Sequence, residues 1–236
     1  MAQKWVGRIL PAVRLGPARA MRAFRDERNM RLLLAFTLGD DSNCIDVGSN
    51  EGLVLADIVR LAPNGHHIAF EPLPHLYDRL KATFPAVEVR NVALADSDGS
   101  SAFMHVRNMP AYSGLRRRAY PTEPDIEVIK ITTQRLDGHL PNGYVPNLIK
   151  IDVEGAEQLV IEGALETIKE HRPTILFEHG RGASDYYGGS PSAVHRLLCG
   201  EAGLRIFDLD GNGPYSAIEF KRTYERNDRW NFVAHA

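Results

Sequence analysis

Cys44-Ile45-Asp46-Val47-Gly48-Ser49-Asn50-Glu51-Gly52-Leu53 is an apolar run that passes through a glycine-containing turn into an amphipathic stretch. It reads as a buried strand, a tight turn and the start of a helix, the first unit of a parallel α/β sheet. Gly48 can take backbone angles denied to other residues, and it lets a ligand approach the main chain closely. The helix that follows points unpaired N–H groups at that ligand. A plain tight turn would account for this loop alone, so a second acid is what decides. Glu71 closes the run His67-Ile68-Ala69-Phe70-Glu71, and Pro72 stops the strand at its tip. A carboxylate at the end of the second strand, roughly 20 residues past the glycine turn, is where nucleotide-binding sheets grip the two ribose hydroxyls. The dinucleotide fingerprint G-x-G-x-x-G seats a pyrophosphate, but here Asn50 stands where its second glycine would be. The expected ligand is a nucleoside without phosphates.

Outward from this unit, short apolar runs alternate with longer amphipathic stretches, the rhythm of βα units. Strands are expected at 43–47, 67–71, 87–92, 148–153, 174–178, 204–209 and 230–234, and helices near 51–61, 76–83, 155–171 and 192–199. Ala156, Val160, Ile161, Ala164, Leu165 and Ile168 recur at helical spacing, and that helix should close before Pro173. Residues 100–147 break the rhythm. Phe103–Val106 and 127–132 alternate like antiparallel strands around a polar loop, 108–125, that holds Tyr112, Arg116, Arg117 and Arg118. Loops of that length in compact domains tend to bind something, so this one is expected to form part of an acceptor site or a lid. Residues 1–38 read as a helical appendage in two segments broken around Gly16-Pro17, and 39–236 as one domain.

A chain of 236 residues with 44% hydrophobic and 25% charged residues has the balance of a globular domain with a real core. The net charge of -2 supplies no global field for nucleic acid. One local basic stretch, Lys4, Arg8, Arg14, Arg19, Arg22, Arg25, Arg28 and Arg31, outweighs Asp26 and Glu27. It reads first as a solvated helix face and second as a face for a partner or lipid headgroups. Cys44 and Cys199 are too few for a disulfide framework or thiolate metal site. With neither a membrane-spanning run nor a signal-peptide core, the default expectation is a cytoplasmic protein. Oligomeric state is not legible.

Three segments carry a family resemblance: 45–52, Val92-Ala93-Leu94-Ala95-Asp96-Ser97-Asp98-Gly99, and Leu148-Ile149-Lys150-Ile151-Asp152-Val153-Glu154-Gly155-Ala156-Glu157. Together they resemble the FkbM family of S-adenosylmethionine-dependent methyltransferases. Thr133-Gln134-Arg135-Leu136-Asp137 is similar to a family segment ending in Leu-Asp. The resemblance implies a Rossmann-like class I methyltransferase: a seven-stranded, mostly parallel sheet with one antiparallel edge strand, carrying the N-terminal helices and the hairpin insertion. It implies S-adenosylmethionine across the strand tips, with Asp46 and Gly48 on the methionine side and Glu71 on the ribose. Asn91, Val92 and Ala93 would border the adenine, and Ser49, Asn50, Gly52, Pro72 and Asp152 would complete the cofactor-binding set. Ser49 and Glu51 depart from the small and aliphatic residues more usual in that loop, and residues 1–38 have no clear counterpart. The implied acceptor is a hydroxyl of a saccharide or natural-product-like small molecule.

Methyl transfer to an oxygen requires the acceptor to be positioned and its proton removed. Asp152 and Glu154, two apart at a strand end, point to one face, and Glu178-His179 ends the adjacent strand. Asp152, Glu154, Glu178 and His179 are therefore the candidate catalytic residues. A divalent cation on Asp152, Glu154 and Glu178 is an alternative way to acidify the hydroxyl, and it is not the expected one. Glu157 reads as a helix-start stabiliser and Lys150 as an ion-pair partner. The competing function is a non-catalytic nucleoside-binding module that uses the 108–125 loop for a partner protein.

Overall fold

The structure is a computed structural model and describes residues 17–236. The first of the two expected N-terminal helical segments lies outside the described residues. The second is α1 (Pro17–Thr37), after which the chain alternates β1 (Cys44–Val47), α2 (Leu53–Leu61), β2 (Ile68–Phe70), α3 (Pro74–Thr83) and β3 (Glu88–Arg90). β4 (Ala93–Leu94), β5 (Gly99–Val106) and β6 (Ile126–Gln134) follow, and then β7 (Leu148–Ile151), α4 (Glu157–Gly163), α5 (Leu165–His171) and β8 (Thr174–Glu178). The chain ends with α6 (Pro191–His195), β9 (Arg205–Asp208), α7 (Ala217–Arg226) and β10 (Asn231–His235).

The main sheet has the order β3-β2-β1-β7-β8-β10-β9. β10 runs antiparallel to both β8 and β9, and the remaining pairs are parallel. The chain winds outward from β1 through β2 to β3, then returns to lay β7 on the other side of β1. That reversal opens a crevice at the carboxyl ends of β1 and β7, the place where open α/β sheets bind ligands. β1 and β7 are buried along their whole length, as strands covered on both faces must be. Ile45, Ile149, Val160, Ile161 and Phe177 fill one face, while Leu34 and Leu38 at the end of α1 pack with Ile58, Leu148 and Leu176 on the other.

The 100–147 insertion is a hairpin, with β5 paired to β6 from Gly99↔Thr133 to Val106↔Ile126. β4 joins β6 in parallel, so the hairpin forms a separate three-stranded sheet. The helix expected over 155–171 is two helices. A β-carbon on Gly163 would lie 1.9 Å from the carbonyl oxygen of Ala95, so the chain there is pressed against the β4 loop. Asp137 then accepts hydrogen bonds from the N–H groups of Glu166 and Thr167, satisfying donors at the start of α5. No described helix is long and apolar enough to cross a membrane.

Candidate active site

A cavity of about 620 Å³ opens at the carboxyl ends of the parallel strands, within the ~300–1,000 Å³ of small-molecule sites. Gly48, Ser49, Asn50, Glu71, Pro72, Val92 and Ala93 line one half. Lys150, Asp152, Glu154 and Glu178 line it as well. Beyond them the wall is made by Ala23, Asp26 and Met30 of α1 with Leu209 and Trp230, and by Pro110, Ser113 and Leu115 of the insertion loop.

The glycine turn is closed on itself. The N–H groups of Gly48 and Ser49 donate to the Phe70 carbonyl at 3.0 and 3.1 Å. Asn50 N–H donates to Glu71 Oε2 at 2.8 Å, and Leu73 N–H to Glu71 Oε1 at 2.9 Å. The N–H groups of Gly48, Ser49 and Asn50 are thus engaged within the protein, and a carboxylate stands beside them in the cavity wall. Gly48 is required because its φ is 75° and a β-carbon would lie 2.0 Å from the Asp152 carbonyl oxygen.

Register places Asp46 opposite Lys150. The buried Lys150 ammonium is 3.2 Å from Asp46 Oδ1 and 3.8 Å from Asp152 Oδ2, and it donates to the Gly48 carbonyl at 2.8 Å. It ties the turn to β7. Glu178 hydrogen-bonds to Asp152, and burial together with the Asp152 charge holds its carboxyl well above the usual range. Glu154 sits in left-handed backbone, φ 59°, which turns its side chain back to the cavity. Its Oε2 accepts from Arg118 Nη2 at 2.7 Å, and burial followed by Asp152 pushes its carboxyl up to about 8. Glu157 accepts from the N–H groups of Val153 and Gly155 and is pushed up to about 7, burial being the largest cause.

A raised carboxyl binds its proton more tightly folded than unfolded. Its contribution to stability is complete below the ordinary value of 4.5 and is lost as pH rises through the folded value, about 7 for Glu157. Glu157→Gln keeps an acceptor for the two N–H groups and removes the titration. The difference in Tm between this variant and the wild-type protein should therefore grow in the variant's favour as pH rises through that window, measured by thermal melting. A constant difference would contradict this assignment.

Other expected residues lie elsewhere. Asp46 is buried behind Lys150 and does not line the cavity. Gly52 is also out of the wall; a β-carbon there would meet Phe84 and Leu80 at 2.6 and 2.7 Å, so it serves packing against α3. Asn91 is behind the wall too, donating to the carbonyls of Glu71 and Pro72 at 2.9 and 3.0 Å, and so fixes the loop that carries Glu71. His179 is 1% exposed, stacked on Phe220 and Tyr224, and does not reach the cavity. Burial lowers its imidazole to about 4, so the ring is neutral.

Asp152, Glu154 and Glu178 share the cavity, but among the described residues no group of three or more His, Cys, Asp or Glu is arranged to hold a metal ion. Asp208, Asp210, Asn212, Gly213 and Glu219 have the spacing of a calcium loop. Arg229 Nε lies 3.1 Å from Asp208 and Arg22 pairs with Asp210, while Glu219 is engaged in the capping box of α7. The arginines take the place of the cation. The contribution of α1 to the wall carries no motif, Trp230 opens the strand expected over 230–234, and α7, which starts at the Ser216-x-x-Glu219 capping box, is a helix the sequence reading missed.

The model of the methyltransferase FkbM domain matches residues 46–203, well over half of the chain. The hexuronic acid methyltransferase AglP of Haloferax volcanii is 28% identical over 185 residues, 75% of this chain and 70% of its own. Methyltransferase 1 of Beauveria bassiana is 27% identical over 146 residues, 52% of this chain and 59% of its own. The crystal structure of an FkbM methyltransferase from Methylobacillus flagellatus KT superposes with a TM-score of 0.53 at 15% identity, covering 84% of this chain and 44% of that one, a likeness of fold. The chain thus spans less than two thirds of the Beauveria and Methylobacillus proteins. Matched through its glycine turn, its β7 acids and α4, this chain belongs to the FkbM methyltransferase domain family.

Proposed function

We propose that the protein is an S-adenosylmethionine-dependent methyltransferase acting on a hydroxyl of a saccharide or natural-product-like small molecule. One observation carries the cofactor part: the N–H groups of Gly48, Ser49 and Asn50 are engaged by Phe70 and Glu71, leaving an acceptor carboxylate in the cavity wall. A pyrophosphate needs the opposite polarity. Ribose hydroxyls, which donate, suit Glu71, and the apolar Val92, Ala93 and Leu94 suit a flat base. When bound, S-adenosylmethionine supplies an activated methyl group. The protein's own part is to orient the acceptor hydroxyl, exclude water and take the proton. Asp152, beside a Glu178 carboxyl held well above the usual range, is placed for that last step. The name of the Haloferax relative supports a saccharide acceptor.

Calorimetry tests the cofactor: S-adenosylhomocysteine should give binding heat and NAD none, and the reverse result removes the reading. Incubation with methyl-labelled cofactor and a panel of saccharides then tests the acceptor.

The insertion loop belongs to the acceptor side. Arg118 crosses from the loop to Glu154, stacks 4.6 Å over the Tyr112 ring, and holds down the segment whose Pro110, Ser113 and Leu115 face the cavity. Arg118→Met should raise the acceptor KM by about tenfold, the scale of one lost charge-assisted contact. Affinity for S-adenosylhomocysteine should stay the same; an equal loss of both would place the loop outside the acceptor site.

A further inference from the structure

α1 is apolar on two opposite sides. Its inner side is accounted for: Leu34 is fully buried against the sheet, and Ala23, Asp26 and Met30 wall the cavity. Arg22 pairs with Asp26 and Asp210, Asn29 Nδ2 donates to the Leu209 carbonyl at 2.9 Å, and Asn231 Nδ2 donates to Asp26 at 3.0 Å. The outer side has fewer partners among the described residues: Arg25 lies 3.7 Å from Asp210 and Arg28 donates to Asn29 Oδ1 at 3.3 Å, while its large apolar side chains stand exposed. Met21, Phe24, Leu32 and Phe36 are 61, 52, 49 and 88% exposed. At about 100° per residue they fall with Arg25 and Arg28 in one sector about 120° wide. Of the helix's two acids, Asp26 lies on the other side, and Glu27, paired with Arg31, stands at the edge between the cavity and the groove of Phe24, Arg28 and Leu32. Before Asp26 the sequence has no acid at all, while Lys4, Arg8, Arg14, Arg19 and Arg22 precede it.

We propose that the outer face of α1 docks on an anionic lipid surface. The exposed rings of this face can enter a headgroup layer while the neighbouring guanidinium groups meet phosphate. Charge chooses among the occupants. A second copy would bring Arg25 and Arg28 against the same residues, and a fold-back of residues 1–16 would bring Arg8 and Arg14 against them, like charge on like charge in both cases. A polyanion without apolar surface, such as nucleic acid, would leave Phe24 and Phe36 uncovered. Docking on this face leaves the main chain of the sheet untouched and brings the cavity, walled by the inner side of the same helix, beside the lipid surface.

The test is co-sedimentation of the full chain with vesicles of phosphatidylcholine, with and without phosphatidylglycerol. The wild-type protein should bind the anionic vesicles only, and raised salt should release it. Phe24→Ser/Phe36→Ser and Arg25→Gln/Arg28→Gln alter exposed side chains, and their melting curves report whether they are folded. Each folded variant should bind the anionic vesicles at least about tenfold more weakly, since each basic residue near such a surface contributes about fivefold. Absence of binding by the folded wild-type protein overturns the proposal, as does equal binding to the neutral vesicles or unchanged binding by both variants. Concentration-dependent dimerisation abolished by Phe24→Ser/Phe36→Ser would assign the face to a second copy and overturn it too.

Discussion

Asp152→Asn is expected to lower kcat by roughly 10²–10⁴-fold, the range for loss of a positioned proton acceptor. Affinity for S-adenosylhomocysteine and the melting temperature should stay near wild type. The expectation comes from how the carboxyls divide their roles. Burial and the Asp152 charge hold the Glu178 carboxyl well above the usual range, while the Asp152 side chain lines the cavity and is 45% exposed. Glu154 is occupied by Arg118, and Glu157 by two backbone N–H groups. Asparagine keeps the shape and cannot take a proton. Glu178→Gln still offers a donor to Asp152, so its loss should be nearer tenfold, and this asymmetry is the signature of the assignment. Equal, large losses from both would mean that the proton leaves through Glu178. A wild-type enzyme silenced by a chelator and restored by magnesium would mean that the carboxylates act through a cation. Full activity in Asp152→Asn would move the base to Glu154.

The alternation of apolar runs with amphipathic stretches was enough to read the sheet, because parallel strands buried on both faces must be apolar throughout. The 45–52 turn and Glu71 were legible because each answers a local demand: a glycine where the turn takes left-handed backbone, and an acid at a strand tip. Roles set by long-range packing were not. Asp46 and Asn91 look like cavity residues from their place in the motif, yet the lateral position of each depends on the neighbour opposite it, Lys150 in one case and the Glu71–Pro72 carbonyls in the other. His179 follows directly on a cavity carboxylate; consecutive residues at a strand end face opposite ways, so its ring entered the layer under α7 instead. The α4–α5 break was hidden because the cap of α5 is Asp137, 29 residues from the Glu166 N–H that it receives. Part of the cavity wall comes from Ala23, Asp26, Glu27 and Met30 of α1 and from Trp230, which lie outside the matched residues 46–203.

Glu71→Gln should weaken S-adenosylhomocysteine binding by about 1–3 kcal/mol, the scale of lost charge-assisted hydrogen bonds, or roughly 5–150-fold in Kd. Two separate interactions change. The carboxylate can accept from ribose hydroxyls with charge behind it, and it also accepts from the N–H groups of Asn50 and Leu73. A glutamine must turn its NH₂ toward one of those N–H groups, donor against donor, so part of any loss would reflect a disturbed loop. Asn91→Ala separates the two. Asn91 fixes the same loop through the Glu71 and Pro72 carbonyls while staying out of the cavity, so removing it disturbs the loop and leaves the carboxylate in place. Calorimetry on both variants should show Asn91→Ala losing no more than about fivefold and Glu71→Gln clearly more. Equal losses would make Glu71 a brace for the glycine turn, and a Glu71→Gln protein that binds as well as wild type would remove the ribose from this acid altogether. The comparison with NAD completes the argument. If the carboxylate is what excludes a pyrophosphate, the wild-type protein should give no NAD binding and Glu71→Gln should be the variant in which it first becomes detectable.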